Sequence, residues 1–127
     1  MNTVHIVALL AIAQYLAFTV LVGRARMRWR VMAPATTGHP MFERAFRVQQ
    51  NTLEQLVAFL PALLLAGLYW PQPVVAAIGA VWLAGRLLYR LEYMKDPARR
   101  APGFGLTVLP TMALILAALW GAVGGAA

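Results

Sequence analysis

The sequence predicts an all-α membrane protein, a bundle of four transmembrane helices forming a single domain over residues 1–127. Three observations carry that expectation. Hydrophobic residues make up 61% of the chain and charged ones only 12%, far from the mix of a soluble domain. The apolar residues gather into four stretches of about 20 residues, the length a helix needs to cross a hydrocarbon core of roughly 30 Å. All eleven Lys and Arg lie between Arg24 and Arg100, mostly in two short segments that flank apolar stretches. Residues 1–23 and 101–127 hold no acidic or basic side chain other than His5.

Helix one is expected over 3–23, where Gln14 and Tyr15 near the middle can hydrogen-bond to a neighbouring helix. The stretch lacks a basic start and a small-residue cleavage pattern, so it reads as a retained span rather than a leader. Arg24, Arg26, Arg28 and Arg30 follow, alternating with Ala25, Met27, Trp29 and Val31, the composition of a cytoplasmic interface. Pro34, Gly38 and Pro40 then break the chain into a loop over 32–41, with Thr36 and Thr37 as turn formers.

Helix two is expected over 42–69, with a polar beginning, an apolar remainder and a bend at Pro61, which removes a backbone hydrogen bond. The uncharged WPQP at 70–73 is the tight turn on the far side of the membrane, with Trp70 as an interfacial anchor. Helix three is expected over 74–94. The segment KDPARRAPGFG, residues 95–105, reads as a second basic loop broken by Pro97, Pro102 and Gly103. Helix four is expected over 104–123 with a kink at Pro110, and the GGAA tail is expected to fray. Two basic loops on one side and a neutral turn on the other place those loops in the cytoplasm.

Several chemistries drop out. The formal charge of +7 is confined to topology-setting segments, so it argues against a nucleic-acid surface. Without cysteine there is no disulfide framework, no thiolate metal site and no enzyme thiol nucleophile, so any sulfur chemistry must enter with a ligand. His5 and His39 lack a second metal ligand at useful spacing, so no metal is expected. A chain this short encloses little interior for a ligand, which favours an assembly of several copies.

The polar code sits at the start of helix two. Arg47, Asn51 and Glu54 fall at i, i+4 and i+7, one helical stripe. Glu54 stands about 10 Å further along the axis than Arg47 and is followed by several apolar turns. A carboxylate at such a depth is costly unless paired, so it marks either an interhelical ion pair or a ligand site. On helix three Arg86, Tyr89 and Tyr93 form a second stripe at i, i+3 and i+7. The tyrosines fit interfacial anchors as well as ligand contacts. A ligand meeting both stripes would carry both signs of charge.

At TTGHPMFERAFRVQQNTLE, at AGL near the end of helix two and at RLLYRLEY on helix three, with matching lengths between them, the chain resembles the MAPEG family, the membrane-associated proteins of eicosanoid and glutathione metabolism. Within that family it is similar to the leukotriene-forming and microsomal glutathione transferases. The resemblance implies a homotrimer of four-helix subunits that binds glutathione between neighbours at the cytoplasmic end of the membrane. It implies glutathione contacts at Arg47, Asn51, Glu54, Tyr89 and Tyr93, with further contacts at Gln49 and Arg26, and a thiolate-stabilising role for Arg100, next to Arg99. Where the leukotriene-forming proteins have a further arginine after the position of Arg26, this chain has Met27, a departure that bears on the lipid substrate rather than on glutathione.

The residues fit that chemistry. Glutathione carries two carboxylates, an ammonium and a thiol; Arg47 and Arg86 can meet carboxylates, Glu54 the ammonium, and the tyrosine hydroxyls the rest. A guanidinium such as that of Arg100 favours the thiolate. The expected function is a transferase or peroxidase of a membrane such as the bacterial inner membrane, using glutathione as co-substrate against apolar electrophiles or lipid hydroperoxides. Two other readings stay open: a non-catalytic relative that binds lipid or glutathione, and a small proton-coupled drug exporter using Glu54.

Overall fold

The computed structural model describes residues 1–125, which form four long helices and one short turn of 3-10 helix. They are α1 (Thr3–Trp29), α2 (Pro40–Tyr69), α3 (Gln72–Lys95), the 3-10 turn Pro97–Arg99, and α4 (Ala101–Gly124). Each long helix is long and apolar enough to cross a membrane, and the protein is an integral, multi-pass four-helix bundle.

The helices begin and end for local reasons, and some ends differ from the sequence expectation. α1 continues through Arg24, Arg26 and Arg28 to Trp29, because arginine propagates a helix well and nothing before Arg30 breaks it. Arg30 closes it in the left-handed conformation, φ 56°. α2 starts at Pro40, where a proline fits the first helical turn. His39 caps it, with Nδ1 accepting from the Met41 amide at 3.1 Å, and Glu43 accepts from the Gly38 amide at 3.1 Å. The Trp29 and His39 rings stack with centroids 3.8 Å apart and close the α1–α2 connection.

The basic connection before α4 is shorter than expected. Pro102 and Gly103 lie inside the first turn of α4 rather than in a loop, since proline there forfeits no helical hydrogen bond. α2 runs unbroken past Pro61, and α4 past Pro110. The expected fraying of the GGAA tail concerns in part residues 126–127, outside the described residues.

Around the bundle α1 packs on α2 and α3, and α4 on α2 and α3, with the α3–α4 contact the most extensive. In lipid, burying a leucine brings little hydrophobic gain, so close backbone approach and interhelical hydrogen bonds have to hold the helices together. Both are present. Gly85 lies so near α4 that a Cβ would sit 2.7 Å from the Leu106 backbone, and a Cβ on Gly103 would overlap the backbone of Tyr89. Gln14 Nε2 donates to the Leu83 carbonyl at 3.0 Å, and Trp70 Nε1 to the Ala117 carbonyl at 2.7 Å. Phe59 and Trp82 stack at 4.2 Å in the main core cluster. Large apolar side chains such as Leu9, Leu65, Leu109 and Leu116 face outward, as lipid contact demands.

The basic ends of the four helices meet at one end. Arg44 on α2 donates through Nη1 to the carbonyls of Met94, at 2.9 Å, and Lys95, at 3.1 Å. These are carbonyls that the end of α3 leaves without helical partners, and a cation is favoured there. Arg44 thus fixes the start of α2 against the end of α3, the two segments that carry the polar stripes.

Candidate functional site

The two stripes converge. A cavity of about 370 Å³ at the basic end is lined by Arg47, Gln50, Asn51 and Glu54 from α2, Tyr89 and Tyr93 from α3, and Arg100 at the head of α4. A second cavity of about 530 Å³ adjoins it, sharing Asn51, Tyr89 and Arg100 and adding Ala98, Ala101 and Phe104. Two guanidiniums, one carboxylate, two amides and two phenols therefore face one space. The combination suits a small ligand with carboxylates and an ammonium.

Each wall has a structural cause. Residues 47, 50, 51 and 54 of α2 share a face by helical periodicity. The Tyr89 and Tyr93 rings stack one turn apart with centroids at 5.4 Å, and Phe104 of α4 lies 6.4 Å from Tyr89. Gly103 lets α4 come against α3 at Tyr89, bringing the head of α4 to the cavity. Asp96 accepts from the Ala98 amide at 3.0 Å and shapes the 3-10 turn, and Arg100 Nη1 donates to the Pro97 carbonyl at 2.9 Å. The turn also separates two adjacent arginines. Arg99 pairs with Glu92 at 2.8 Å, whereas Arg100 borders both cavities.

Asn51 Oδ1 is buried and has no hydrogen-bond partner among the described residues. A buried unpartnered acceptor costs about 1–3 kcal/mol. It stands in the wall of the cavity, where a ligand N–H or ammonium would satisfy it.

Other expected contacts lie elsewhere within the chain. Arg86 is fully buried among the helices, with Nη2 donating to the Thr52 hydroxyl at 2.8 Å and Nη1 to the Thr107 hydroxyl at 3.3 Å. Its guanidinium carbon lies 4.3 Å from the Tyr89 ring centroid, so it braces that tyrosine from behind instead of lining the cavity. Gln49 donates to the Thr19 hydroxyl of α1 at 3.1 Å, and the adjacent Gln50 occupies the cavity wall. Arg26 holds the α1–α2 connection, donating to the Ala35 carbonyl at 2.7 Å with its guanidinium 4.7 Å from the Phe42 ring centroid. Glu54 stays with the cavity that it lines, and its side chain is exposed at the surface of the chain.

Sequence reasoning missed Gln50, Thr52 and Thr107. Gln50 was within reach, standing three residues after Arg47 and four before Glu54. The threonines were not: their partner is a guanidinium on another helix, which no spacing along α2 or α4 reveals.

Comparison with known proteins finds relatives over most of the chain. The family model described as MAPEG family matches residues 4–120. An uncharacterized protein of Synechocystis is 47% identical over 114 residues, covering 90% of this chain and 83% of its own length. Human microsomal glutathione S-transferase 2 is 40% identical over 118 residues, 93% of this chain and 78% of its own. Bovine leukotriene C4 synthase is 36% identical over 114 residues, 89% of this chain and 76% of its own. A four-helix membrane bundle with a mixed-charge cavity at its basic end, matched over nearly its whole length by one family model, belongs to the MAPEG family.

Proposed function

We propose that the protein is a membrane-bound, glutathione-dependent transferase that also reduces hydroperoxides, and that it works as a homotrimer with its basic end in the cytoplasm. The observation that carries this reading is the single cavity bounded by Arg47, Asn51, Glu54, Tyr89, Tyr93 and Arg100. Relatives named as a microsomal glutathione S-transferase and a leukotriene C4 synthase support it.

In this reading Glu54 and the orphaned Asn51 oxygen receive the ammonium of glutathione, Arg47 receives a carboxylate, and the tyrosine hydroxyls orient the peptide. Arg100 faces the thiol. A free thiol has a pKa of about 8.5, and a guanidinium beside it favours the anion, each unit of lowering corresponding to about 1.4 kcal/mol. The thiol proton leaves to water at the open cytoplasmic end. The thiolate sulfur then forms a C–S bond with an apolar electrophile, whose leaving group departs or whose ring oxygen or carbanion takes up a proton. With a hydroperoxide the thiolate attacks the terminal oxygen and the O–O bond breaks, giving a sulfenic acid and an alkoxide that takes a proton from water to leave as the alcohol. A second glutathione converts the sulfenic acid to the disulfide and water.

Within one chain Arg26 and Gln49 lie off the cavity, on the side of α2 that meets α1. A symmetric assembly places that side of one copy against the exposed Glu54 side of the next, encloses the carboxylate and supplies the second carboxylate contact. The apolar partner has a route as well. A groove of about 410 Å³ between α2 and α4 starts at Val57, one turn beyond Glu54, and continues past Pro61 and Leu65 to Leu119.

The test is turnover by purified protein with glutathione against a panel of apolar electrophiles and lipid hydroperoxides. Conjugate formation with at least one electrophile, absent without glutathione, is the expected result. Failure of glutathione to bind or react with any of them would end this reading in favour of a non-catalytic role.

A further inference from the structure

On the opposite side of the bundle from the Arg47–Glu54 stripe, a groove of about 340 Å³ lies between the end of α1, the start of α2 and the end of α3. Arg24, Arg28 and Arg90 face it, together with Trp29, Met41 and Met94. We infer that this groove is a binding site for the headgroup of an anionic phospholipid, whose phosphodiester lies among the three guanidiniums. The inference is independent of the glutathione reading.

Charge is the first argument. The chain has four acidic residues, and among the described residues each is committed elsewhere. Glu43 accepts from the Gly38 amide, Glu54 faces the cavity lined by Arg47 and Arg100, Glu92 pairs with Arg99, and Asp96 accepts from the Ala98 amide. The groove therefore concentrates three cations with no internal counterion. Arg90 sharpens the point. Its Nη1 is buried and lacks a hydrogen-bond partner among the described residues, while its guanidinium carbon lies 5.6 Å from the Phe18 ring centroid. A buried guanidinium N–H without an acceptor is costly, and a phosphate oxygen in the groove would supply one.

Position is the second argument. Arg24 and Arg28 are four residues apart and share one face of α1, while Arg26 points away to the α1–α2 connection. One turn toward the membrane centre on the same faces stand Val20, before Arg24, and Leu87, before Arg90, both exposed. Trp29 lies at the water side, with the Arg28 guanidinium carbon 5.0 Å from its ring centroid. Cations above apolar side chains, with a tryptophan at the rim, match a lipid that has an anionic head and acyl tails, and a free anion in water would use only the upper half.

The experiment is native mass spectrometry of the full-length protein released from detergent with either phosphatidylglycerol or phosphatidylcholine. Phosphatidylglycerol is expected to remain bound preferentially, and the Arg24→Gln/Arg28→Gln variant, which leaves the bundle interior untouched, is expected to lose about tenfold of that binding. An Arg30→Gln/Lys95→Gln control, which removes the same charge at the same end outside the groove, is expected to keep it. Equal retention of the two lipids, equal loss in the control, or displacement of phosphatidylglycerol by millimolar inorganic phosphate would each overturn the assignment.

Discussion

Glu54 and Arg86 illustrate how a charged side chain on a membrane helix is made tolerable in two different ways. Glu54 lies at the surface of its own chain beside Arg47 and Asn51, and in the proposed trimer a ligand and the neighbouring copy enclose it. Replacing it by Gln keeps the shape and removes the charge that would meet an ammonium. The KM for glutathione is then expected to rise between about tenfold and a hundredfold, as for the loss of a charge-assisted hydrogen bond, with kcat changing much less. Steady-state kinetics in glutathione concentration reads this directly. Arg86 instead is sealed inside the bundle by Thr52, Thr107 and Tyr89. Arg86→Ala should cost about 2–4 kcal/mol by opening a cavity, whereas Arg86→Met, which fills the volume and removes a buried charge, should stay within about 1.5 kcal/mol of the parent. Thermal unfolding in detergent separates the two variants.

At the scale of the elements, the seat of α4 on α3 decides whether Arg100 reaches the cavity. A Cβ on Gly103 would overlap the backbone of Tyr89, so Gly103→Ala must push α4 away from α3. About 1–3 kcal/mol of stability should be lost, and activity with it. Gly105 has open space where its Cβ would go, and there Ala should stabilise by up to about 1 kcal/mol through helix propensity. Melting temperatures and specific activities of the two variants test the pair.

The same contrast explains what the sequence could disclose. The spans and the stripe of Arg47, Asn51 and Glu54 were legible because helical periodicity is a local property. The helical course of Arg24 to Arg28 was missed because alternation with apolar residues and a loss of hydropathy looked like an end, although arginine does not end helices. The start of α4 was missed because Pro102 reads as a breaker until the helix boundary is known, after which it reads as a first-turn residue. The directions of Gln49 and Arg86 were beyond reach, since the Thr19, Thr52 and Thr107 hydroxyls that hold them come from other helices.

At the scale of the whole molecule, one chain holds Arg100 and Glu54 on one side and Arg26 and Gln49 on another. A trimer in which each site takes Arg26 from one copy and Arg100 from the next makes a sharp prediction. Arg26→Ala and Arg100→Ala proteins should each be nearly inactive, yet random co-assembly should restore up to roughly a quarter of parent activity, because each mixed trimer regains one intact site. A site complete within one chain gives no recovery.

If the cavity binds glutathione and ionises its thiol beside Arg100, the ultraviolet difference spectrum of glutathione added to purified protein carries the signature of the anion. A guanidinium that favours the anion lowers the thiol pKa, so thiolate absorbance is expected at pH 7, with the titration displaced below the free value of about 8.5. In Arg100→Ala the signal should be lost at pH 7 and return only as the pH rises past that value. Glutathione that binds but titrates alike in the parent and in Arg100→Ala would remove Arg100 from thiol activation, and glutathione that never binds would remove the cavity's proposed ligand.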